Sequence, residues 1–233
     1  MVQLSKDVFA AGERPLPVEE AVALLLARVP VIAAIESVEL AAAEGRILAA
    51  EVAAPIDLPG FDNSAVDGYA LRAADLATGA RTSLKIAGRV AAGHRLAVAP
   101  PRGSAVRIFT GAPMPAGFDT VAMQEDCELG PDGTVMLPAG LPPGANCRRR
   151  GEDLAKGTPA LPAGRRLVPE DIGLAAALGL SRLDVRRRLK AAIFSTGDEI
   201  IAPGAPLPAA GVYAATRFML AAMLRRQGPL VTA

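Results

Sequence analysis

Glycine and proline punctuate this chain throughout, and they constrain its fold more than any other feature. There are 23 Gly and 20 Pro in 233 residues. Proline removes a backbone donor and fixes φ, and glycine admits turns that other residues resist. A chain interrupted this often is expected to build many short elements joined by turns. The apolar side chains point the same way. They make up 51% of the sequence, but Ala supplies much of that, aromatics are only 3% and Trp is absent. Small side chains fill little volume, so several modest cores are expected, in one large domain or two to three small ones.

The densest punctuation lies between Pro55 and Asn146. Short apolar runs at Leu84 to Val90, Ala105 to Phe109, Thr120 to Gln124 and Thr134 to Leu137 are separated by clusters such as Ala99-Pro100-Pro101-Arg102-Gly103 and Gly111-Ala112-Pro113-Met114-Pro115. That texture predicts a small all-β domain over 55–147. The flanking segments 14–54 and 148–185 are expected to form one unit, with the β domain inserted into it. In the first flank Pro17, Glu19 and Glu20 open a helix. Val18, Val22, Leu25, Leu26 and Val29 then recur at helical spacing up to Pro30. Ser37 to Leu40 reads as a short strand and Glu44 to Ala49 as a helical turn. In the second flank Pro169 to Leu180 reads as a helix.

From residue 186 the pattern changes again. Leu189 to Phe194 suits a buried parallel strand, Val212 to Arg226 a helix capped by Gly228, and Pro229 to Val231 the start of another strand. Residues 186–233 thus resemble the beginning of a parallel α/β domain, and the expectation is a chain that stops inside it. The fold class is mixed α and β, multidomain.

Several function classes lose support at this stage. A net charge of +1 gives no bulk attraction for nucleic acid or an anionic membrane. The longest apolar run, Ala21 to Ile35, is broken by Arg28 and Pro30 and cannot span a bilayer. Met1 to Asp7 has no apolar segment of the signal-peptide kind. Cys127 and Cys147, the two cysteines, make neither a disulfide framework nor a zinc site, and read as free thiols of a cytoplasmic protein. One histidine, His94, permits no imidazole catalytic system, and Ser64 lacks a Gly-x-Ser-x-Gly setting. Met219 and Met223 read as core.

Four polar clusters can carry chemistry. Pro59 to Arg72 holds Asp62 and Asp67 among Gly60, Asn63, Ser64 and Gly68. It reads as a rigid loop presenting carboxylates, with Asp62 functional and Asp67 a shaper of the turn. Arg107 to Pro115 delivers the Thr110 hydroxyl from a strand onto a Gly/Pro-rich loop; taken alone it is a strand exit. Asn146 to Asp153 sets Arg148, Arg149 and Arg150 beside Glu152 and Asp153. These could bind an oxyanion and a divalent cation together, or form a charged hinge closed by internal ion pairs. The fourth cluster, Phe194 to Glu199, follows a predicted parallel strand, where open α/β sheets bind ligands. Ser195, Thr196 and the Gly197 amide can hydrogen-bond a phosphate there. Asp198 and Glu199 can hold a metal or position a reacting group.

The order and spacing of the four clusters resemble the molybdopterin molybdotransferase family, which includes bacterial MoeA and the gephyrin E domain. The matching segments are Pro-Gly-Phe-Asp-Asn-Ser-Ala-Val-Asp-Gly-Tyr-Ala at 59–70, Ile-Phe-Thr-Gly-Ala-Pro-Met-Pro at 108–115, Arg-Arg-Arg-Gly-Glu-Asp at 148–153 and Phe-Ser-Thr-Gly-Asp-Glu at 194–199. The resemblance implies an elongated homodimer that inserts molybdenum from molybdate into adenylylated molybdopterin, releasing AMP with the help of Mg2+. It implies Asp62, Asp153 and Glu199 as catalytic residues and Thr110 as substrate-binding. Ser195 to Asp198 would line the pterin side, Arg148 to Arg150 would offset local negative charge, and Asp198 and Glu199 are the candidate metal ligands. Implied partners are a second copy and the molybdopterin nucleotide, with molybdopterin adenylyltransferase a further candidate.

Two departures from the family pattern shape the expectation. The family's Ser-Gly-Gly and Lys-Pro-Gly-Lys-Pro-like segments are not in this sequence. Where the family carries polar residues after a Tyr that opens the next helix, Tyr213 is followed by Ala214, Ala215 and Thr216. The chain alone is therefore expected to be inactive or weakly active. The alternative is a non-catalytic dimerisation or scaffolding module derived from that enzyme. An unrelated phosphate-ligand binding protein is a third, weaker option.

Overall fold

The structure is a computed structural model that describes residues 16–31 and 33–232. The readings made on Met1 to Asp7, on residue 14 as a domain start and on residue 233 as a domain end lie outside it. The chain groups into two compact units. One is Glu36–Val185; the other joins the residues before Glu36 to those from Arg186 onward.

In the first unit a six-stranded sheet runs in the order Thr120–Met123, Gly68–Leu71, Ser104–Ile108, Thr82–Val90, Thr134–Leu137, Glu128–Leu129. Only Thr82–Val90 and Ser104–Ile108 pair parallel; the other neighbours are antiparallel. Strand side chains alternate between faces. Tyr69, Leu71, Leu84, Ala105 and Ala122 therefore pack into one core cluster, and Ala70, Val106, Ile108 and Val121 into another. Gly/Pro clusters bound several of these strands, as at Pro100 to Gly103 and Gly111 to Pro115.

One element departs from the sequence reading. Pro59 to Arg72, expected to be a loop outside the core, enters it: Asn63 and Ser64 are buried, and Gly68–Leu71 is an interior strand of the sheet. Its lack of bulk is the reason. Gly68 and Ala70 let neighbouring strands approach where larger residues would not.

A third core cluster lies in the same unit. Leu48, Leu161, Leu167, Ala175, Leu183 and Val185 cluster there. Val52–Ala53 pairs antiparallel with Pro159–Leu161, and isolated bridges join Ile47 to Arg166 and Leu48 to Val185. Glu44 to Ala49 is thus not the expected helical turn. The single helical turn is Leu40–Ala42; Gly45 then takes φ +70°, and Leu48, almost fully buried, is held extended. The helix Pro169–Ala177 covers this core. The Asp171 carboxylate reaches back to the Val168 amide at 3.0 Å and accepts from Arg165 Nε at 2.7 Å. That arrangement satisfies one orphan donor of the first turn.

In the other unit Lys190–Ala192 pairs parallel with Leu230–Thr232, and Ile200–Ile201 parallel with Val212–Tyr213. Val212 and Tyr213 are strand; the helix following them is Ala215–Gln227. Met219 and Met223, expected as core, are 56% and 58% exposed, and the helix instead buries Ala221. The second helix, Val18–Arg28, starts after Pro17, which occupies the N-cap, and buries no residue. No helix among the described residues is long and apolar enough to cross a membrane.

Candidate functional site

The first three polar clusters fold together in the Glu36–Val185 unit. Asn63–Ser64 pairs antiparallel with Cys147–Arg148, setting Ser64 opposite Cys147 and Asn63 opposite Arg148. This long-range pairing closes the loop between the two segments and brings Asp62 to the arginine run. Local turns then fix the loop. Ser64 Oγ bonds the Val66 carbonyl at 2.5 Å, Asn63 Nδ2 donates to the Phe61 carbonyl at 3.1 Å, and Asn146 takes φ +56° while donating to the Val121 carbonyl at 2.9 Å. Asn tolerates this left-handed backbone better than most residues.

Asp62 does not bond its own turn. Its Oδ1 accepts from the Arg150 amide at 2.8 Å and its Oδ2 from Arg149 Nη1 at 2.9 Å. The amide first and the guanidinium second hold the Asp62 carboxyl below the ordinary carboxylate range. Asp62 is therefore ionised at neutral pH and acts as a charged acceptor, not a proton donor. It lines a cleft of about 360 Å³ whose walls include Phe61, Leu96, Pro113, Met114 and Pro115, with Arg95 as the other charged group.

Each of the three arginines already has a carboxylate. Arg148 donates to Glu152 at 2.6 Å and to both oxygens of Asp153 at 2.5 and 2.6 Å. Arg149 meets Asp62, and Arg150 Nε meets Asp57 Oδ2 at 2.5 Å. Of the two readings of this run, internal ion pairing is the one its geometry displays. Three guanidinium groups face four carboxylates, Asp57, Asp62, Glu152 and Asp153, so the cluster carries one net negative charge. Sequence reasoning missed Asp57, which also accepts from the Lys156 amide at 2.7 Å. The only available signal was a carboxylate five residues ahead of Asp62.

Asp67 and Thr110 form a second contact. Asp67 Oδ1 accepts from the Thr110 amide at 2.8 Å and the Thr110 hydroxyl at 2.7 Å, the amide being the main cause of its lowered pKa. The Thr110 hydroxyl proton is thus directed to Asp67, and Asp67 shapes the loop that presents Thr110.

Ser195, Thr196, Gly197, Asp198 and Glu199 lie in the other unit, and all five are exposed. Gly197 has φ +142°, and the Glu199 carboxylate folds over it where a Cβ would stand. The described residues contain no group of three His, Cys, Asp or Glu placed to hold a metal. Asp62 and Asp153 are each paired with arginine, whereas Asp198 and Glu199, the candidate metal ligands, are exposed in the other unit.

The cysteines stand apart from this chemistry. Burial pushes both thiols up to about 11. Cys147 Sγ lies 3.3 Å from the Asp119 carbonyl and 3.7 Å from Met114 Sδ.

Residues 16–179 match the family model described as the MoeA N-terminal region, domains I and II. A molybdopterin molybdenumtransferase of Haemophilus influenzae is 39% identical over 211 residues, covering 91% of this chain and 52% of that protein. One from Synechococcus elongatus is 42% identical over 186 residues, covering 78% of this chain and 46% of that protein. The crystal structure of a molybdopterin biosynthesis MoeA protein from Pyrococcus horikoshii superposes with a TM-score of 0.84 at 30% identity, covering 94% of this chain and 59% of that one. The chain spans about half the length of the curated relatives it matches. On the extent of the family match, the chain belongs to the MoeA N-terminal region family.

Proposed function

We propose that this chain serves molybdenum cofactor biosynthesis, contributing to the insertion of molybdenum from molybdate into adenylylated molybdopterin with release of AMP. The observation that carries the reading is Asp62. Its carboxylate is fixed by the Arg150 amide and the Arg149 guanidinium on the wall of an open cleft. The relatives' names supply the substrate class. Held ionised, Asp62 suits orienting a ligand donor or accepting a proton from one. Asp153 fixes Arg148, and Thr110 offers its hydroxyl oxygen to a ligand while its proton rests on Asp67. Ser195 to Asp198 are proposed to line the pterin side and Glu199 to act with them. A cytoplasmic location is part of the reading.

The curated relatives are about twice as long as the stretch they share with this chain. The proposal for the 233-residue chain alone is weak or absent turnover. The test supplies purified protein with molybdate and adenylylated molybdopterin, and follows AMP release. AMP release by a full-length relative that the substitution matching Asp62→Asn leaves undiminished would sink the role given to Asp62. Robust release by the isolated chain would sink the expectation of weak activity.

A second reading, as a dimerisation module, has its own observation. The helix Val18–Arg28 buries nothing, and Val18, Leu25, Leu26 and Val29 are all more than half exposed. Such a stripe is suited to a partner surface, and the proposed partner is a second copy. Light scattering after size exclusion tests it; a strict monomer across the concentration range would remove it.

A further inference from the structure

The arginines expected to meet an anion are neutralised by carboxylates, so another source of positive charge is required if an oxyanion is to bind near Asp62 and Thr110. The sheet supplies one. Arg89 and Arg107 are direct cross-strand partners in the parallel pair of Thr82–Val90 with Ser104–Ile108. Like charges set opposite one another destabilise a sheet unless something compensates. Here both guanidinium groups lie against the ring of Phe109, at 4.5 Å for Arg89 and 4.7 Å for Arg107. Arg107 also lies 5.1 Å from the Tyr69 ring, donates to the Gly68 carbonyl at 3.0 Å and bonds Gln124. Among the described residues neither arginine has a carboxylate within ion-pair distance. Of the nearby acidic groups, Glu125 accepts from Gln124, and Asp67 accepts hydrogen bonds from Thr110 while feeling the Arg107 charge from beyond ion-pair distance.

We infer that Arg89 and Arg107, clamped on Phe109, form the oxyanion-binding element beside Thr110, and that they take a tetrahedral dianion such as molybdate or a phosphate monoester. The stack fixes one planar face of each guanidinium; Arg107 already spends a hydrogen bond from each terminal nitrogen, on Gly68 and on Gln124, and the freer N–H edge is that of Arg89. Such edges recognise tetrahedral oxyanions through paired hydrogen bonds. The position is suited to the task. Arg107 is three residues before Thr110, and the two parallel strands finish at the same end of the sheet, Thr82–Val90 at Val90 and Ser104–Ile108 at Ile108. A bulge between Ile86 and Arg89 brings Arg89 opposite Arg107. This inference rests on the proposed function for the identity of the anion, but its geometry does not.

The test titrates the isotopically labelled chain with molybdate, AMP and adenosine separately, reading amide and arginine side-chain shifts by NMR. Molybdate and AMP are expected to shift Phe109, Thr110 and the Arg89 side chain, and adenosine to leave them unmoved. Arg89→Ala should weaken anion affinity about tenfold and Arg89→Glu should abolish it, while Arg89→Lys retains most of it. Arg89 is exposed and its one described contact is the Phe109 ring, so these variants leave the fold intact. Absence of anion-dependent shifts at this end of the sheet, or equal affinity in Arg89→Glu, overturns the inference. Loss of anion binding in Arg89→Glu, with no AMP release by a full-length relative that carries this chain's unaltered sequence in place of its own matching stretch, would leave the inference standing and remove the proposed function. Undiminished AMP release when that hybrid carries Arg89→Glu would do the reverse.

Discussion

Two glycines of the Pro59 to Arg72 segment are expected to differ sharply when changed to alanine. A Cβ on Gly68 would overlap the Ala122 carbonyl oxygen outright, stand 2.9 Å from its carbonyl carbon and 3.2 Å from Val121 Cγ1. None of these atoms is the end of a flexible side chain free to swing away. Gly68 pairs opposite Met123 in an interior strand, and Val121 and Ala122 are fully buried. Ordinary carbon contacts need roughly 3.5–4.0 Å, so the strands Gly68–Leu71 and Thr120–Met123 must part by about 1.5 Å. Weakening two ladder hydrogen bonds costs about 2 kcal/mol. Disturbed packing around Val121 and Ala122 adds about 1–2 kcal/mol. The expected loss is therefore about 3–4 kcal/mol. With a guanidinium slope of roughly 3–4 kcal/mol per molar for a unit of this size, the unfolding midpoint of Gly68→Ala should fall by about 1 M. At Gly60 the nearest atom to an added Cβ, the Asp57 carbonyl oxygen, is 3.8 Å away and φ is not positive. Gly60→Ala should therefore stay within about 0.5 kcal/mol of the parent. Guanidinium titration followed by far-ultraviolet circular dichroism reads both. A Gly68→Ala midpoint at the parental value, or a Gly60→Ala variant that falls as far, would refute the packing argument.

Other outcomes follow from the same contacts. Asp171 is almost fully buried and accepts from both Arg165 and the Val168 amide, so Asp171→Ala should cost about 2 kcal/mol, seen as a lowered thermal midpoint. Arg165 is partly exposed and can regain water, which keeps the loss from being larger. Asp57, Asp62, Asp67, Glu152 and Asp171 are all held below the ordinary carboxylate range by hydrogen bonds. Depressed folded-state values give stability that is present above the unfolded values, about pH 4, and is lost as pH falls through the folded ones. Chemical denaturation should therefore show a flat midpoint from about pH 7 to 5 and a steep fall below about pH 4; a midpoint unchanged down to about pH 3 would contradict the contacts. Cys127 and Cys147, each pushed up to about 11, should be alkylated by iodoacetamide at about pH 8 at least tenfold more slowly in the native chain than in the denatured one, measured by mass spectrometry.

The parts of this fold that were legible in the sequence share one property: their signal is local. Leu84 to Val90, Ala105 to Phe109, Thr120 to Gln124 and Thr134 to Leu137 stand out as strands because Gly/Pro clusters bracket them, and each lies within a residue or two of the observed span. Gly68–Leu71 carried no such signal. It is flanked by polar turn formers and built of small residues, and only its place between two other strands makes it core. The helix Ala215–Gln227 shows the converse: its large apolar residues drew attention, yet the side it buries is marked by Ala221.

The site divides in the same way. Asp62 was visible as a carboxylate on a constrained loop, but its partners are 87 and 88 residues away. Nothing short of the Asn63–Ser64 pairing with Cys147–Arg148 could have assigned them. That long-range pairing is also what decides the electrostatics. In sequence, three adjacent arginines look like an anion site. In three dimensions the loop closure delivers Asp57 and Asp62 to them, Glu152 and Asp153 complete the set, and their charge is cancelled where it stands. A residue's formal charge can be read from sequence, but its availability to a ligand depends on partners that only the fold brings near. Arg89 and Arg107 illustrate the other side of that rule. Well apart in sequence and unremarkable there, they become a pair only through the parallel register and its bulge, and they keep their charge because no carboxylate shares that end of the sheet at ion-pair distance among the described residues.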